Sequence, residues 1–403
     1  MSGPAAVASA LATDPGTRDA ITAACEKVIG RLGEGPVDLC LLVVSPHHAE
    51  SADWALPIVQ ERLAPAALIG CSASGAIGAG REVERGPAVM LWAARLPAAR
   101  GAIEPFHLDL ERIEGGFAIR GLPAALATGE VEDRPPALLI ADPHTFPVEE
   151  ALALANQELP GLHVVGGLAS GAADAGEQVL FCDGEIHRRG AVGVLFGAGV
   201  AMVTAVSQGC QPVGPDMVVT AGEGPVVAEL AGTPALVKLR EVLEGLSERD
   251  RELVRHGLMA GVVIDENRPD YGRGDYLMRG ISMLDERAEA PPEALIIGAD
   301  LRVGQTVRLQ ARDATSADAD LRAALGEVVS GQQRAVGGLL FSCTGRGRSM
   351  FGSAHHDVRL AQEVLGTDAI GGFFAAGEIG PVGGRNFVHG FTATMAVFLD
   401  DPA

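Results

Sequence analysis

The stretch Gly70–Gly75 reads GCSASG, and it has two counterparts further along the chain: GGLASG at Gly166–Gly171 and GFFAAG at Gly372–Gly377. Each carries glycines five residues apart. Each follows an apolar run that ends in a small or polar corner, LLVVSP at Leu41–Pro46, LLIADP at Leu138–Pro143 and LLFSCT at Leu339–Thr344. A further apolar run closes each set, at Ala88–Ala94, Ala191–Phe196 and Phe391–Phe398. The opening runs are displaced by 97 and then 201 residues, the glycine motifs by 96 and then 206. Motifs that move in step over such distances mark a duplicated subdomain, because solenoid units repeat every ~20–50 residues. The second displacement is about twice the first, so the spacing leaves room for a degenerate copy near residues 200–330.

Each copy reads as strand, helix, glycine-bearing strand and strand. The opening runs are apolar on both faces, as central strands are. Helices follow them at Ala52–Leu63 and Pro147–Leu159, and the glycines mark close backbone approach or bulges. The expected fold is therefore mixed α/β, with duplicated strand-helix-strand-strand units forming mixed sheets covered by helices. Before the first copy, Thr17–Leu32 places Ile21, Ala24, Val28 and Leu32 on one helix face, with Gly33 just past the end. Pro225–His256 is expected to be helical and Ile264–Gln310 to return to strands. A Gly- and Pro-rich stretch at Gly214–Gly224 suggests a boundary, which divides the chain into a helical extension (1–36), a first domain (37–224) and a second (225–403).

Composition excludes several functions. The 52 acidic and 31 basic residues give a net charge of −21, a field that repels nucleic acid and anionic membranes. Only Lys27 and Lys238 are lysines and neither follows a glycine, so no phosphate loop of the Gly-x-x-x-x-Gly-Lys type exists. No Gly-x-Gly-x-x-Gly fingerprint occurs either, and no cofactor is expected. The six cysteines lie far apart without a Cys-x-x-Cys pair, which fits small buried residues in a reducing, cytoplasmic setting. The uncharged stretch Gly190–Pro215 is broken by glycines and reads as buried strands rather than a membrane span. His47-His48 and His355-His356-Asp357 are adjacent, whereas ligands on one helix face want spacings of three or four, so no metal is expected.

LIGCSASGAI early in the chain, DYLMRGISMLD in the middle, and FSCTGRG followed by GFFAAGEIGPVGGRNFVHGFTATMAVF resemble the FIST family, over about Val37 to Phe398. The resemblance implies a FIST N-terminal domain paired with a FIST C-terminal domain, acting as an intracellular sensory module that binds small ligands such as amino acids. Only 36 residues precede the match and five follow it, so any output is expected to pass through a separate signalling or effector protein.

The residues themselves offer a candidate site. Cys343 ends a strand in Cys-Thr-Gly-Arg-Gly-Arg, where guanidinium groups favour a thiolate; it reads either as a reactive or ligand-facing thiol or as a small buried residue beside a turn. Arg346 suits a carboxylate or phosphate, or a salt bridge to an acidic neighbour such as Glu378. Arg279 interrupts an apolar run and needs a partner. Ser72 and Ser74 offer hydroxyls to a small polar ligand or shape a recurring turn, and His389 reads as a structural histidine or a base. The leading expectation is binding of a small ligand, an amino acid or other carboxylate, near the domain junction by Arg279, Cys343, Arg346, Glu378, Ser72, Ser74 and His389. The alternatives are an enzyme with Cys343 as nucleophile and a scaffold for a protein partner.

Overall fold

The computed structural model describes residues 5–33, 35–96, 102–113, 116–127, 134–197, 199–255, 257–272, 274–283, 291, 293–331 and 333–400. Its contacts divide the chain into two units, one of Met1–Ser207, Leu321–Val388 and Thr392–Ala403, the other of Gln208–Asp320 and His389–Phe391.

The first unit is built from three copies. The first runs β1 (Ala6–Ala12), α1 (Thr17–Leu32), β2 (Leu39–Val44), α2 (Pro46–Ala49), α3 (Ala52–Leu63), β3 (Ala67–Ser72), β4 (Ala76–Gly78), β5 (Arg81–Val83) and β6 (Val89–Arg95). The second runs β7 (Ile103–Ile113), β8 (Gly116–Arg120), β9 (Ala137–Ala141), α4 (Val148–Glu158), β10 (Val164–Leu168), β11 (Leu180–Cys182), β12 (Glu185–His187) and β13 (Ala191–Phe196). The third opens with β14 (Met202–Gln208). The chain then makes β15 (Cys210–Leu230), β16 (Thr233–Pro234), α5 (Ala235–Gly245), α6 (Glu248–Arg255), β17 (Leu258–Val263), β18 (Tyr276–Met283), β19 (Leu295–Leu301) and β20 (Thr306–Arg312) before the third copy resumes. It completes as α7 (Ala314–Val328), β21 (Ala335–Cys343), α8 (Arg348–Phe351), α9 (His356–Leu365), β22 (Ile370–Ala375), β23 (Glu378–Val382), β24 (Arg385–His389) and β25 (Thr392–Leu399).

Each copy centres on one parallel pair, β2 with β3, β9 with β10, and β21 with β22. Its closing strand lies antiparallel to the first member, β6 on β2, β13 on β9 and β25 on β21. The small hairpin after the glycine motif crosses to another copy. β4–β5 joins β22, β11–β12 joins β3, and β23–β24 joins β10. The exchange is cyclic, so each sheet of this unit is completed by its neighbour.

Period-two alternation sorts the apolar side chains onto two faces. Leu41 and Val43, Leu138 and Ile140, and Leu339 and Phe341 share one core common to all three copies. Their neighbours Leu42 and Val44, Leu139 and Ala141, and Leu340 point the other way, into three separate clusters under each copy's helices. Trp92 and Phe398 pack at the centre, and the Trp92 indole N–H donates to the Ala369 carbonyl at 3.1 Å.

The region between β14 and α7 is not a fourth, degenerate copy. Its strands are all antiparallel, in the order β15-β19-β18-β17-β20, and β20 pairs again with β15 to close the ring. The expected helical stretch from Pro225 begins only at Ala235, because Val226 and Val227 pair with β19; its last residue, His256, lies outside the described residues. Among the described residues no helix is long and apolar enough to cross a membrane, and Gly190–Pro215 contributes strands.

The first glycine of each motif occupies an equivalent place. A β-carbon on Gly70, Gly166 or Gly372 would overlap the carbonyl oxygen of Leu42, Leu139 or Leu340 respectively, one position after the start of each opening run. The parallel pair closes this tightly only with glycine there. Gly70→Ala, Gly166→Ala and Gly372→Ala are each expected to cost about 3 kcal/mol or more, measured by urea denaturation. Gly30→Ala, on the exposed face of α1 with nothing within 4 Å, is expected to stabilise by ~0.5–1 kcal/mol.

Candidate functional site

The three opening strands end at equivalent corners, and the corners differ in chemistry. In the first copy Ser45 accepts the Ala88 N–H at 3.0 Å. In the second, Asp142 accepts the His144 N–H at 2.9 Å and the Thr145 hydroxyl at 2.6 Å. In the third the same position is Cys343, and Arg346 stands three residues on, where the others have His48 and Thr145. The carboxyl end of a parallel pair is where α/β sheets place ligands, and here only the third copy has put a thiol and a guanidinium there.

Arg346 is 1% exposed, and its backbone N–H closes the turn on the Cys343 carbonyl at 2.9 Å. The salt bridge expected with Glu378 forms instead with Asp357, in the first turn of α9: Nε and Nη2 donate to the two carboxylate oxygens at 2.7 and 2.9 Å. Asp357 also accepts the Ser342 hydroxyl at 2.9 Å and lies 3.1 Å from His356 Nδ1. Burial would raise its pKa, but the Arg346 charge and these hydrogen bonds hold the carboxyl well below the usual range. Burial works against the Arg346 charge as well, and Asp357, Glu378 and Cys343 together raise its pKa above the ordinary value. One guanidinium nitrogen, Nη1, is buried without a hydrogen-bond partner.

Glu378 opens β23 and is fully buried. Its Oε2 accepts the Thr392 N–H at 3.0 Å and the Thr392 hydroxyl at 2.7 Å, which turns the carboxyl away from a salt bridge. Oε1 completes no hydrogen bond. Burial pushes the pKa up to about 8, against the lowering effects of Thr392, the Arg346 charge and the nearby Cys343 thiol. A raised pKa favours the protonated carboxyl, the form that can donate a hydrogen bond.

The exchanged hairpin of the first copy completes the surroundings. Glu82 Oε1 accepts the Val358 N–H at 2.9 Å, which satisfies an otherwise unpaired donor at the start of α9. Glu84 accepts the Arg348 N–H at 2.9 Å. Gly347 sits at φ 72°, a left-handed conformation that favours glycine. Burial, and then the Asp357 charge, push Glu82 up to about 7. Phe351 lies between the His356 ring, stacked at 3.6 Å, and Arg346 at 5.2 Å.

The other expected residues fall elsewhere. Ser72 donates to Gln178 Oε1 at 2.9 Å and accepts the Val179 N–H at 3.0 Å. The Ser74 N–H donates to Ser170 Oγ at 2.9 Å, and Ser170 in turn donates to the Phe374 carbonyl. These hydroxyls tie the three glycine motifs together. Arg279, whose Nη1 donates to the Met278 carbonyl, and His389, which is buried, both belong to the second unit. In the sequence Asp357 adjoins His355 and His356, and nothing local pairs it with Arg346. Glu82 and Thr392 carried no local signal.

Together, the threefold-repeated sheets and the corner that carries a thiol and a guanidinium define a triplicated α/β protein with a divergent, buried polar centre. Residues 38–233 match the FIST N domain and residues 235–381 the FIST C domain. The chain belongs to the FIST family. It is 42% identical over 391 residues to the uncharacterized protein Rv0628c of Mycobacterium tuberculosis (strain H37Rv), a match that covers 97% of this chain and 98% of the relative. It is 41% identical to the uncharacterized protein Mb0898c of Mycobacterium bovis, covering 96% and 97%.

Two outcomes follow from the buried charges. Asp357→Asn leaves Arg346 buried without its counter-charge and is expected to cost about 3–5 kcal/mol. Glu82 and Glu378 keep protons in the folded state where the unfolded chain has released them. Their contribution therefore falls as pH rises from the ordinary 4.5 to about 7 for Glu82 and to about 8 for Glu378. Asp357 acts oppositely, and its contribution is lost as pH falls through its depressed pKa. Urea midpoints measured from pH 5 to 8 are expected to drop less steeply in Glu378→Gln than in the natural protein.

Proposed function

We propose that the centre around Cys343, Arg346 and Glu378 is the ligand site of a sensory module. Its ligand is a small molecule that presents an oxygen acceptor, such as an amino acid or other small carboxylate. The observation that carries this reading is the pair of buried atoms, Arg346 Nη1 and Glu378 Oε1, that complete no hydrogen bond within the protein. An unsatisfied buried polar atom costs about 1–3 kcal/mol, and both of these are donors at neutral pH. A single acceptor oxygen would satisfy the pair. The guanidinium fork is held by Asp357, so recognition runs through one nitrogen, and the carboxyl supplies the second contact.

Membership of the FIST family supports a sensory role for such a site. In this reading the ligand tightens the corner between β21 and α9, and a separate effector protein reads the change. No chemistry on the ligand is required.

Thermal-shift screening of amino acids and small carboxylates, with calorimetry on the compounds that stabilise, tests the reading. A true ligand at 100 times its Kd is expected to add about 2.7 kcal/mol. Arg346→Lys loses the geometry of Nη1 and is expected to weaken binding about 10- to 100-fold. Affinity is expected to fall as pH rises through about 8, where Glu378 gives up its donor proton, and Glu378→Gln is expected to remove that dependence. Unchanged affinity in a folded Arg346→Lys variant contradicts the assignment.

A further inference from the structure

We infer that the helix-bearing face of the second copy is a docking groove for an amphipathic, basic helix carried by another protein. The inference is independent of the ligand centre in the third copy.

The first observation is a difference among the copies. In the first copy α1 precedes the opening strand β2 and lies across the sheet and α3, its Ile21, Ala24 and Val28 sharing a cluster with Val44, Leu56 and Val59. In the third, α7 precedes β21, and Leu321 and Leu325 are fully buried in a cluster with Leu340 and Val358. The second copy instead turns back after β7 into β8, which extends the edge of the sheet. Among the described residues between β8 and β9 there is only a 3₁₀ turn at Ala124–Ala127, whose Leu126 joins the cluster below.

The second observation is the space that results. A cavity of about 620 Å³ opens between the β7–β8 hairpin and α4, lined by the cross-strand pair Leu110 and Ile119, by Phe146, and by Glu150, Ala151 and Leu154. Leu154 is 50% exposed. Thr145, the counterpart of His48, also lines the cavity. In the first copy that is where α1 begins, with Thr17 Oγ1 2.9 Å from His48 Nδ1. The cavity therefore occupies the place that a helix fills in the first copy.

The third observation is charge. Counted from the first residue of each helix, Glu150, Ala151 and Leu154 of α4 stand where α3 has Trp54, Ala55 and Ile58. Over Trp54 lies Arg18, the second residue of α1, its guanidinium carbon 5.9 Å from the ring centre. A helix laid in the second copy as α1 lies in the first brings its second residue to Glu150. With Glu149 beside it in the first turn of α4, that position calls for a cation. The apolar face of such a helix follows the spacing of Ile21, Ala24, Cys25 and Val28, the i, i+3, i+4, i+7 anchors of helix-in-groove recognition. A chain at −21 repels a second copy of itself, which points to a different, basic partner.

The test titrates the full chain, at about 0.15 M salt, with two fluorescein-labelled amphipathic peptides of α1's length, 16 residues. Both carry leucine and alanine at the anchor spacing, and they differ only in having arginine or glutamate at the second residue and on the polar face. The arginine peptide is expected to bind at least tenfold more tightly than the glutamate peptide. Leu154→Asp, at an exposed position, is expected to weaken the arginine peptide about tenfold although it adds negative charge, and Glu150→Lys to narrow the preference about tenfold. Absence of saturable binding by the arginine peptide, or an affinity unchanged in Leu154→Asp, overturns the proposal. A dimer in sedimentation that Leu154→Asp abolishes makes a second copy the occupant and overturns it as well. Stabilisation by hexylamine that Glu150→Gln removes, with neither peptide bound, makes the cavity a small-molecule site and also overturns it. Binding of small carboxylates at the Arg346 centre is expected to be unchanged in Leu154→Asp, so the two readings stand or fall separately.

Discussion

The ion pair between Arg346 and Asp357 decides what the rest of the centre can do. Both side chains are almost fully buried, and the guanidinium gives its fork to the carboxylate at 2.7 and 2.9 Å. Taking two charges out of water costs several kcal/mol per ion and is offset only by good geometry and further hydrogen bonds. Ser342 supplies one of those bonds. Once the fork is committed, a single guanidinium nitrogen remains, and the one fixed positive charge is already balanced. The Arg346 charge still acts on Glu378 and lowers its pKa, but burial outweighs it. The Glu378 carboxyl turns instead to Thr392. The ion pair thus leaves one guanidinium nitrogen without a hydrogen-bond partner near a buried carboxyl.

The triplicated framework explains how one corner can be spent this way. Each sheet of the first unit is completed by a hairpin from another copy, so the stability of a corner does not depend on its own loop alone. Glu82 and Glu84 arrive on the hairpin of the first copy and satisfy backbone donors at the starts of α9 and α8 in the third. The first two corners meet their hydrogen-bonding needs locally, through Ser45 and Asp142. The third is braced from outside, by Glu82 and Glu84.

Much of this framework was legible in the sequence, because alternation and glycine spacing are local signals. Thr17–Leu32, Ala52–Leu63 and Ala191–Phe196 occur with the bounds that their apolar patterns mark. The cyclic exchange of hairpins was not, since β4, β11 and β23 are a few residues long and pair across large sequence distances. The doubled second displacement reflects an inserted antiparallel unit, whose ring of strands shares no motif with the repeats. At the site, Cys343, Arg346 and Glu378 stood out by type and by their glycine-rich neighbourhood, and the fold brings them together. Asp357 was masked by its adjacent histidines, and Glu82 reaches Val358 across 276 residues. No local pattern records a contact of that kind.

Burial near Arg346 and Cys343 is expected to keep Glu378 protonated at neutral pH. Infrared difference spectroscopy between the natural protein and Glu378→Gln at neutral pH tests it most directly. A protonated-carboxyl carbonyl band is expected that is absent in the variant and shifts when a ligand oxygen occupies the centre. A spectrum in which the natural protein shows only ionised carboxylate at this position would contradict it.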